Sequence, residues 1–116
     1  MAPAYLKLAQ SLARVPVEVG RDPKAILMVS AHWEEPQFTV QRTARPGMIY
    51  DYGGFPAHTY TVQYPSAGNP ELADRVAQIL GNAGIDVALD AQRGYDHGMF
   101  APIQAMYPDA RVPVLQ

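Results

Sequence analysis

Ala25-Ile26-Leu27-Met28-Val29-Ser30-Ala31 runs directly into His32-Trp33-Glu34. A charge-free, largely aliphatic run of this length reads as a strand covered on both faces, the kind found in parallel sheets. In an open α/β sheet, ligands bind outside the carboxyl ends of the strands. His32 stands at that address, which makes it the first candidate functional residue. The second is His97 in Arg93-Gly94-Tyr95-Asp96-His97-Gly98. A histidine between an acid and a glycine can be oriented on one side and accessible on the other.

Working outward, Pro3 followed by Tyr5, Leu6, Leu8, Ala9, Leu12 and Ala13 predicts a short amphipathic helix that must lean on another element to be stable. Phe38-Thr39-Val40-Gln41 is a weaker strand after the Glu35-Pro36 break, and Tyr60-Thr61-Val62-Gln63-Tyr64 alternates like a strand until Pro65 stops it. The clearest helix has Asn69 as N-cap, Pro70 at its first position, and Leu72, Val76, Ile79, Leu80 and Ala83 on one face, with Gly84 ending it. A strand over 85–89, a short helix over 99–106 and a strand from 112 complete the pattern. Strand, helix, strand, helix, strand predicts an α/β fold: a mainly parallel or mixed open sheet with helices on both faces. No strand precedes the first helix and no helix follows the last strand, so the sheet is expected to be truncated at both ends.

The chain has 116 residues, enough to bury a core in one domain. Nine basic and eleven acidic residues give a net charge of −2, with no run of like charge, which argues against nucleic acid as a partner. There is no cysteine, so disulfides, thiolate nucleophiles and sulfur-ligated metal sites are excluded. Any metal must use imidazole, carboxylate or water. Residues 1–10 carry Lys7 and no signal-peptide core, and no stretch approaches the roughly 20 apolar residues of a membrane span. The expectation is a cytoplasmic protein with no membrane contact.

Residues 45–56 are rich in Gly, Pro and Tyr, and Ile49-Tyr50-Asp51-Tyr52-Gly53-Gly54-Phe55-Pro56 carries too many rings for a plain linker. Loops of this kind close over something. These segments, with Ser30-Ala31-His32-Trp33-Glu34, Tyr64-Pro65, the Arg93 to Gly98 block, Met106-Tyr107-Pro108 and Val112-Pro113-Val114-Leu115-Gln116, resemble the class III extradiol ring-cleavage dioxygenases. The nearest branch is the 4,5-DOPA dioxygenases, related to the β-chain of protocatechuate 4,5-dioxygenase. The blocks follow the family's order, and the helix before them matches the family's first helix.

The resemblance implies a mononuclear non-haem iron(II), with zinc in its place in some recombinant proteins, and a catechol and dioxygen as small-molecule partners. It implies that His32 is a metal ligand and His97 the acid–base residue. It also implies that residues 1–116 form a single partial catalytic domain. The family's other ligands come from a Ser-His-Gly-type segment upstream and from the C-terminal part of longer members. A homo-oligomer could supply missing ligands across an interface, and a non-catalytic metal-binding or interaction module of the same fold is the alternative.

The chemistry suits these residues. A neutral imidazole on a rigid strand end can hold one vertex of a facial metal site. A group with an ordinary pKa of about 6.5 can take a proton from a chelating hydroxyl and return one later. The competing readings are a backbone-satisfied histidine at 32 and a turn histidine bonded to Asp96. Asp96 either orients His97 or caps the following helix, and Arg93 either holds a substrate carboxylate or serves as an ion-pair partner. Tyr50 and Tyr52 are candidates for stacking on a phenolic ring, whereas Phe55 is read as loop packing. Glu34 and Glu35 are read as solvated loop acids, although His32 with Glu34 would suit a zinc hydrolase. His58 is read as a surface residue.

Overall fold

Ile26 pairs with Val114 and Leu27 with Leu115 in parallel register, so β1 (Ile26–Leu27) lies beside β4 (Val114–Leu115) although most of the chain separates them. The computed structural model describes residues 3–20 and 23–116; the reading of the first ten residues falls partly on Met1 and Ala2, which with Arg21 and Asp22 lie outside the described residues. A second parallel ladder joins β2 (Phe38–Gln41) to β3 (Val87–Asp90), with Phe38 opposite Val87 and Gln41 opposite Asp90. Gln41 links the two ladders. Its N–H donates to the Gln116 carbonyl at 2.6 Å, and its Oε1 accepts from the Gln116 N–H at 3.1 Å.

Between β2 and β3 runs α2 (Pro70–Asn82), which packs on both strands. Its start follows from local chemistry. The Asn69 side chain accepts from the Leu72 N–H at 3.0 Å, satisfying a donor that the first turn leaves free, and Pro70 sits where no N–H is needed. Gly84, at φ +82°, takes the left-handed conformation just beyond the helix end. The strand–helix–strand unit expected from sequence is therefore present, with parallel pairing. α1 (Pro3–Glu18) is longer than its predicted core, carries Pro16 near its end, and leans on α3 (His97–Met106).

Tyr64, Tyr95, Met99, Phe100, Ile103 and Val114 form the main core, joined by Ile26 and Met28 from the β1 segment. The Tyr95 hydroxyl sits among the carbonyls of Val114 at 2.9 Å, Ala67 at 3.0 Å and Ser66 at 3.2 Å. One O–H thus ties β4 to the 66–67 segment from inside an otherwise apolar cluster.

Two local expectations are corrected. The run over 25–31 is covered on one face only: Ile26 and Met28 face the core, whereas Leu27 and Val29 are 51% and 90% exposed. Successive side chains leave a strand on opposite sides, and nothing among the described residues covers the second side there. Residues 60–64 are not a strand. Ala57–Thr61 form a 3-10 turn, in which the Thr59 and Thr61 hydroxyls donate to the carbonyls three residues back, Pro56 at 2.7 Å and His58 at 2.8 Å. Such local bonds compete with strand pairing. The two rings of the apparent alternation go to different places: Tyr60 packs on the 45–56 loop against Tyr50 and Tyr52, whereas Tyr64 enters the core beside Tyr95.

Tyr95→Phe keeps the ring but removes the buried donor. It is expected to lower stability by about 1–3 kcal/mol. In urea unfolding this appears as a lower midpoint at unchanged slope, and an unchanged midpoint would show that the hydroxyl contributes nothing net.

Candidate functional site

The chain leaves β1 and turns at Ala31-His32, where the Ser30 hydroxyl oxygen accepts from the His32 N–H at 3.1 Å. The same hydroxyl donates to Asp96 Oδ1 at 2.7 Å. Asp96 caps α3, accepting from the Met99 N–H at 3.0 Å, and so sets His97 on the helix's first position. The two predicted histidines meet there. Their ring centroids are 5.6 Å apart with planes inclined at 51°.

Gly98 makes the approach possible. A Cβ at this position would come to 2.6 Å from Ser30 Oγ and 3.0 Å from the His32 ring carbons Cγ and Cδ2. Only a residue without a side chain lets the imidazole lie this close to the first turn of α3.

Asp51 is a site residue to which the sequence reading assigned no role. Its Oδ2 lies 2.9 Å from His32 Nδ1, and its Oδ1 accepts from the His97 backbone N–H at 2.9 Å. Burial pushes the Asp51 pKa up, but the bonds from His97 and His32 outweigh it and leave the carboxyl below its ordinary value. The available signal was a lone acid between two tyrosines in a ring-rich loop. Its partners are 19 and 46 residues away, beyond any local pattern.

Asp96 is fully buried and has four donors: Ser30 Oγ and the Met99 N–H on Oδ1, Arg93 Nη2 and Gln116 Nε2 on Oδ2, the last two at 2.8 Å. Burial raises its pKa, and the bonds from Ser30, Gln116, Arg93 and Met99 together bring it below the ordinary value. Donor atoms of His32, Asp51 and Asp96 lie within 4.8 Å of one another. The Asp96 oxygens are committed to protein donors, so this acid serves as cap and hub. The donor left open is His32 Nε2, since Nδ1 faces Asp51.

Arg93 is held from two sides, donating to Asp96 while its guanidinium lies 4.4 Å over the Trp33 ring. The Tyr50 hydroxyl donates to the Val62 carbonyl at 2.5 Å and accepts from Gln63 Nε2, and the Tyr52 hydroxyl donates to the Thr59 carbonyl. Both tyrosines thus offer ring surface, their O–H groups being engaged. Tyr52 lies 4.6 Å from His97 and stacks on Tyr60 at 5.0 Å, and Phe100 lies 5.4 Å from His97. Phe55, read from sequence as loop packing, is 53% exposed and meets Tyr52 edge-on at 5.2 Å, on the His97 side of the loop.

Glu34 and His58 are exposed, as expected, and Glu35 accepts from the Trp33 indole N–H at 2.8 Å. The acid bonded to His32 is Asp51. Among the described residues no helix is long and apolar enough to cross a membrane.

Residues 5–116 match the family described as the catalytic LigB subunit of aromatic ring-opening dioxygenase. The chain belongs to this family. The extradiol resemblance carried by its motifs therefore holds. Among curated relatives, it is 45% identical over 98 residues to the 4,5-DOPA dioxygenase extradiol of Beta vulgaris, covering 84% of this chain and 37% of that protein. It is 43% identical over 114 residues to the Escherichia coli protein of the same name, covering 97% of this chain and 38% of that one. The crystal structure of an uncharacterized Escherichia coli K12 protein, JW3007, superposes with a TM-score of 0.70 at 34% identity, over 93% of this chain and 38% of the other. The chain thus spans less than two-fifths of the length of these relatives.

The Asp96 carboxyl has a lower pKa folded than free, so its stabilising effect is present above the unfolded value of about 4 and is lost as pH falls through the folded value. Asp96→Asn is expected to destabilise the protein at neutral pH and to flatten part of the decline below about pH 4. Thermal melts across pH 2–7 test this, and an unaltered acid limb would contradict it.

Proposed function

We propose that the protein containing this chain is a non-haem iron(II) extradiol dioxygenase that opens a catechol of the DOPA type with dioxygen, zinc being able to occupy the same site. The observation that carries the reading is the meeting of His32 and His97, 5.6 Å apart beside the aromatic loop, in a chain whose residues 5–116 match a ring-opening dioxygenase family. Residues 1–116 then form part of one catalytic domain in a protein acting in the cytoplasm.

The donor chemistry fits a metal at His32. With Nδ1 turned to Asp51, a neutral imidazole presents the Nε2 lone pair outward, the usual arrangement of a metal-bound histidine with a carboxylate behind it. His32 would hold the metal through Nε2, and further donors would come from a longer polypeptide or a second copy. When bound, such a metal supplies a site where the substrate's adjacent hydroxyls and dioxygen are brought together.

The roles of the other residues follow from position. His97, half-buried and flanked by Tyr52 and Phe100, would take the proton released as a catechol hydroxyl binds and return one as the ring opens. Tyr52 and Tyr50 would offer ring surface to a planar phenol and keep bulk water from that side. Asp96 would keep His97 at the head of α3. Arg93, already bound to Asp96 and Trp33, would act by holding this arrangement.

The test uses the full-length protein loaded with iron(II) under reducing conditions and given DOPA in air. A yellow semialdehyde is expected. His97→Ala should keep its metal yet lose turnover on the order of a hundredfold or more, whereas His32→Ala should lose metal and turnover together. Normal turnover by His97→Ala would refute the acid–base assignment.

A further inference from the structure

The two oxygens of Asp51 bond to two different parts of the site. Oδ2 lies 2.9 Å from His32 Nδ1, and Oδ1 accepts the His97 backbone N–H at 2.9 Å. A carboxylate can only accept, so the shared proton belongs to the imidazole, and a neutral ring that donates from Nδ1 has a bare lone pair on Nε2.

We propose that Asp51 is a positioning residue: it holds His32 as the Nδ1–H tautomer, with Nε2 as the outward donor, and fixes the spacing of the two imidazoles by binding the His97 backbone with its other oxygen. The proposal rests on the reading of His32 as a metal ligand and His97 as the acid–base residue.

Three further features support it. Asp96, the other nearby acid, is saturated by four donors and so does not compete for the His32 ring. The Ser30 hydroxyl accepts the His32 backbone N–H and donates to Asp96, which holds the main chain at 32 and leaves ring orientation to Asp51. The backbone at Gly98 runs beside the Cγ–Cδ2 edge of the ring, so close that a Cβ there would lie 3.0 Å from both atoms, while Asp51 bonds the Nδ1 side. The ring therefore sits between the first turn of α3 and the one side chain that bonds it.

The bond spans the 45–56 loop, the turn after β1 and the start of α3. The aromatic loop carries Tyr52 to His97 and, through Asp51, is also bonded to His32. Movement of this loop is therefore coupled to the direction in which His32 Nε2 points.

The test is the tautomer itself, read by long-range proton–nitrogen correlation on the full 116-residue chain labelled with nitrogen-15 histidine, with no metal or substrate, at a pH where the ring is neutral. His32 is expected to show a protonated Nδ1 and a bare Nε2. In Asp51→Ala it is expected to shift toward Nε2–H, and in the full-length protein zinc(II) affinity should fall roughly tenfold to a hundredfold. A wild-type His32 protonated on Nε2, or a tautomer unchanged in Asp51→Ala, would overturn the proposal.

Should Asp51→Ala not fold, Asp51→Asn serves. Its amide puts an N–H donor where one of the two accepting oxygens stood, so either the His32 tautomer or the His97 amide resonance must change, and preservation of both would equally overturn the role. These spectra do not depend on turnover. Nδ1–H in the wild type that is lost in the variant supports the positioning even if the full-length protein opens no ring, an outcome that would count against the dioxygenase reading alone.

Discussion

A charged carboxylate at zero solvent exposure is costly unless its lone pairs are filled, and the burial of Asp96 imposes that requirement on the segments around it. Ser30 arrives from the end of β1, Gln116 from the end of β4, Arg93 from the turn after β3, and the Met99 N–H from the head of α3. None of these can move far without leaving a buried charge or donor unpaired. The carboxyl thus converts a cap into a junction of two strand ends, one turn and one helix. His32 and His97 follow Ser30 and Asp96 by two residues and one, so the junction sets their meeting as well.

The site is built in two tiers with different exposure. Asp96 lies underneath, dry and saturated. Asp51 lies above, 25% exposed at its side chain, bonding His32 on one oxygen and His97 on the other. The lower acid holds the backbone that carries the imidazoles, and the upper one orients a ring. A site whose geometry must survive substrate entry benefits from this division, because the accessible tier can respond to a ligand while the buried tier does not.

How far the sequence revealed this depends on the range of each interaction. The α2 boundaries were legible because Asn69, Pro70 and Gly84 act on their own neighbours. His32 and His97 were legible as positions, one at the end of an apolar run and one beside an acid, and their meeting was implied only by family resemblance. Asp51 was not legible, since both of its partners are distant and an acid in a loop has no local signature. The 3-10 turn at Ala57–Thr61 was misread because alternating rings mimic a strand, while hydroxyl-to-carbonyl bonds three residues back decide the backbone. The exposed faces of Leu27 and Val29 show that an apolar run reports what could be buried, not what covers it.

On the proposed function the two adjacent imidazoles have different jobs, His32 binding metal and His97 handling protons. X-ray absorption at the metal edge of the metal-loaded full-length protein tests this directly, because imidazole ligands give a distinctive outer-shell scattering. This scattering is expected to fall by one imidazole, or the metal to be lost, in His32→Ala, and to be unchanged in His97→Ala. Loss of an imidazole from the metal shell in His97→Ala, with His32→Ala unaffected, would contradict it.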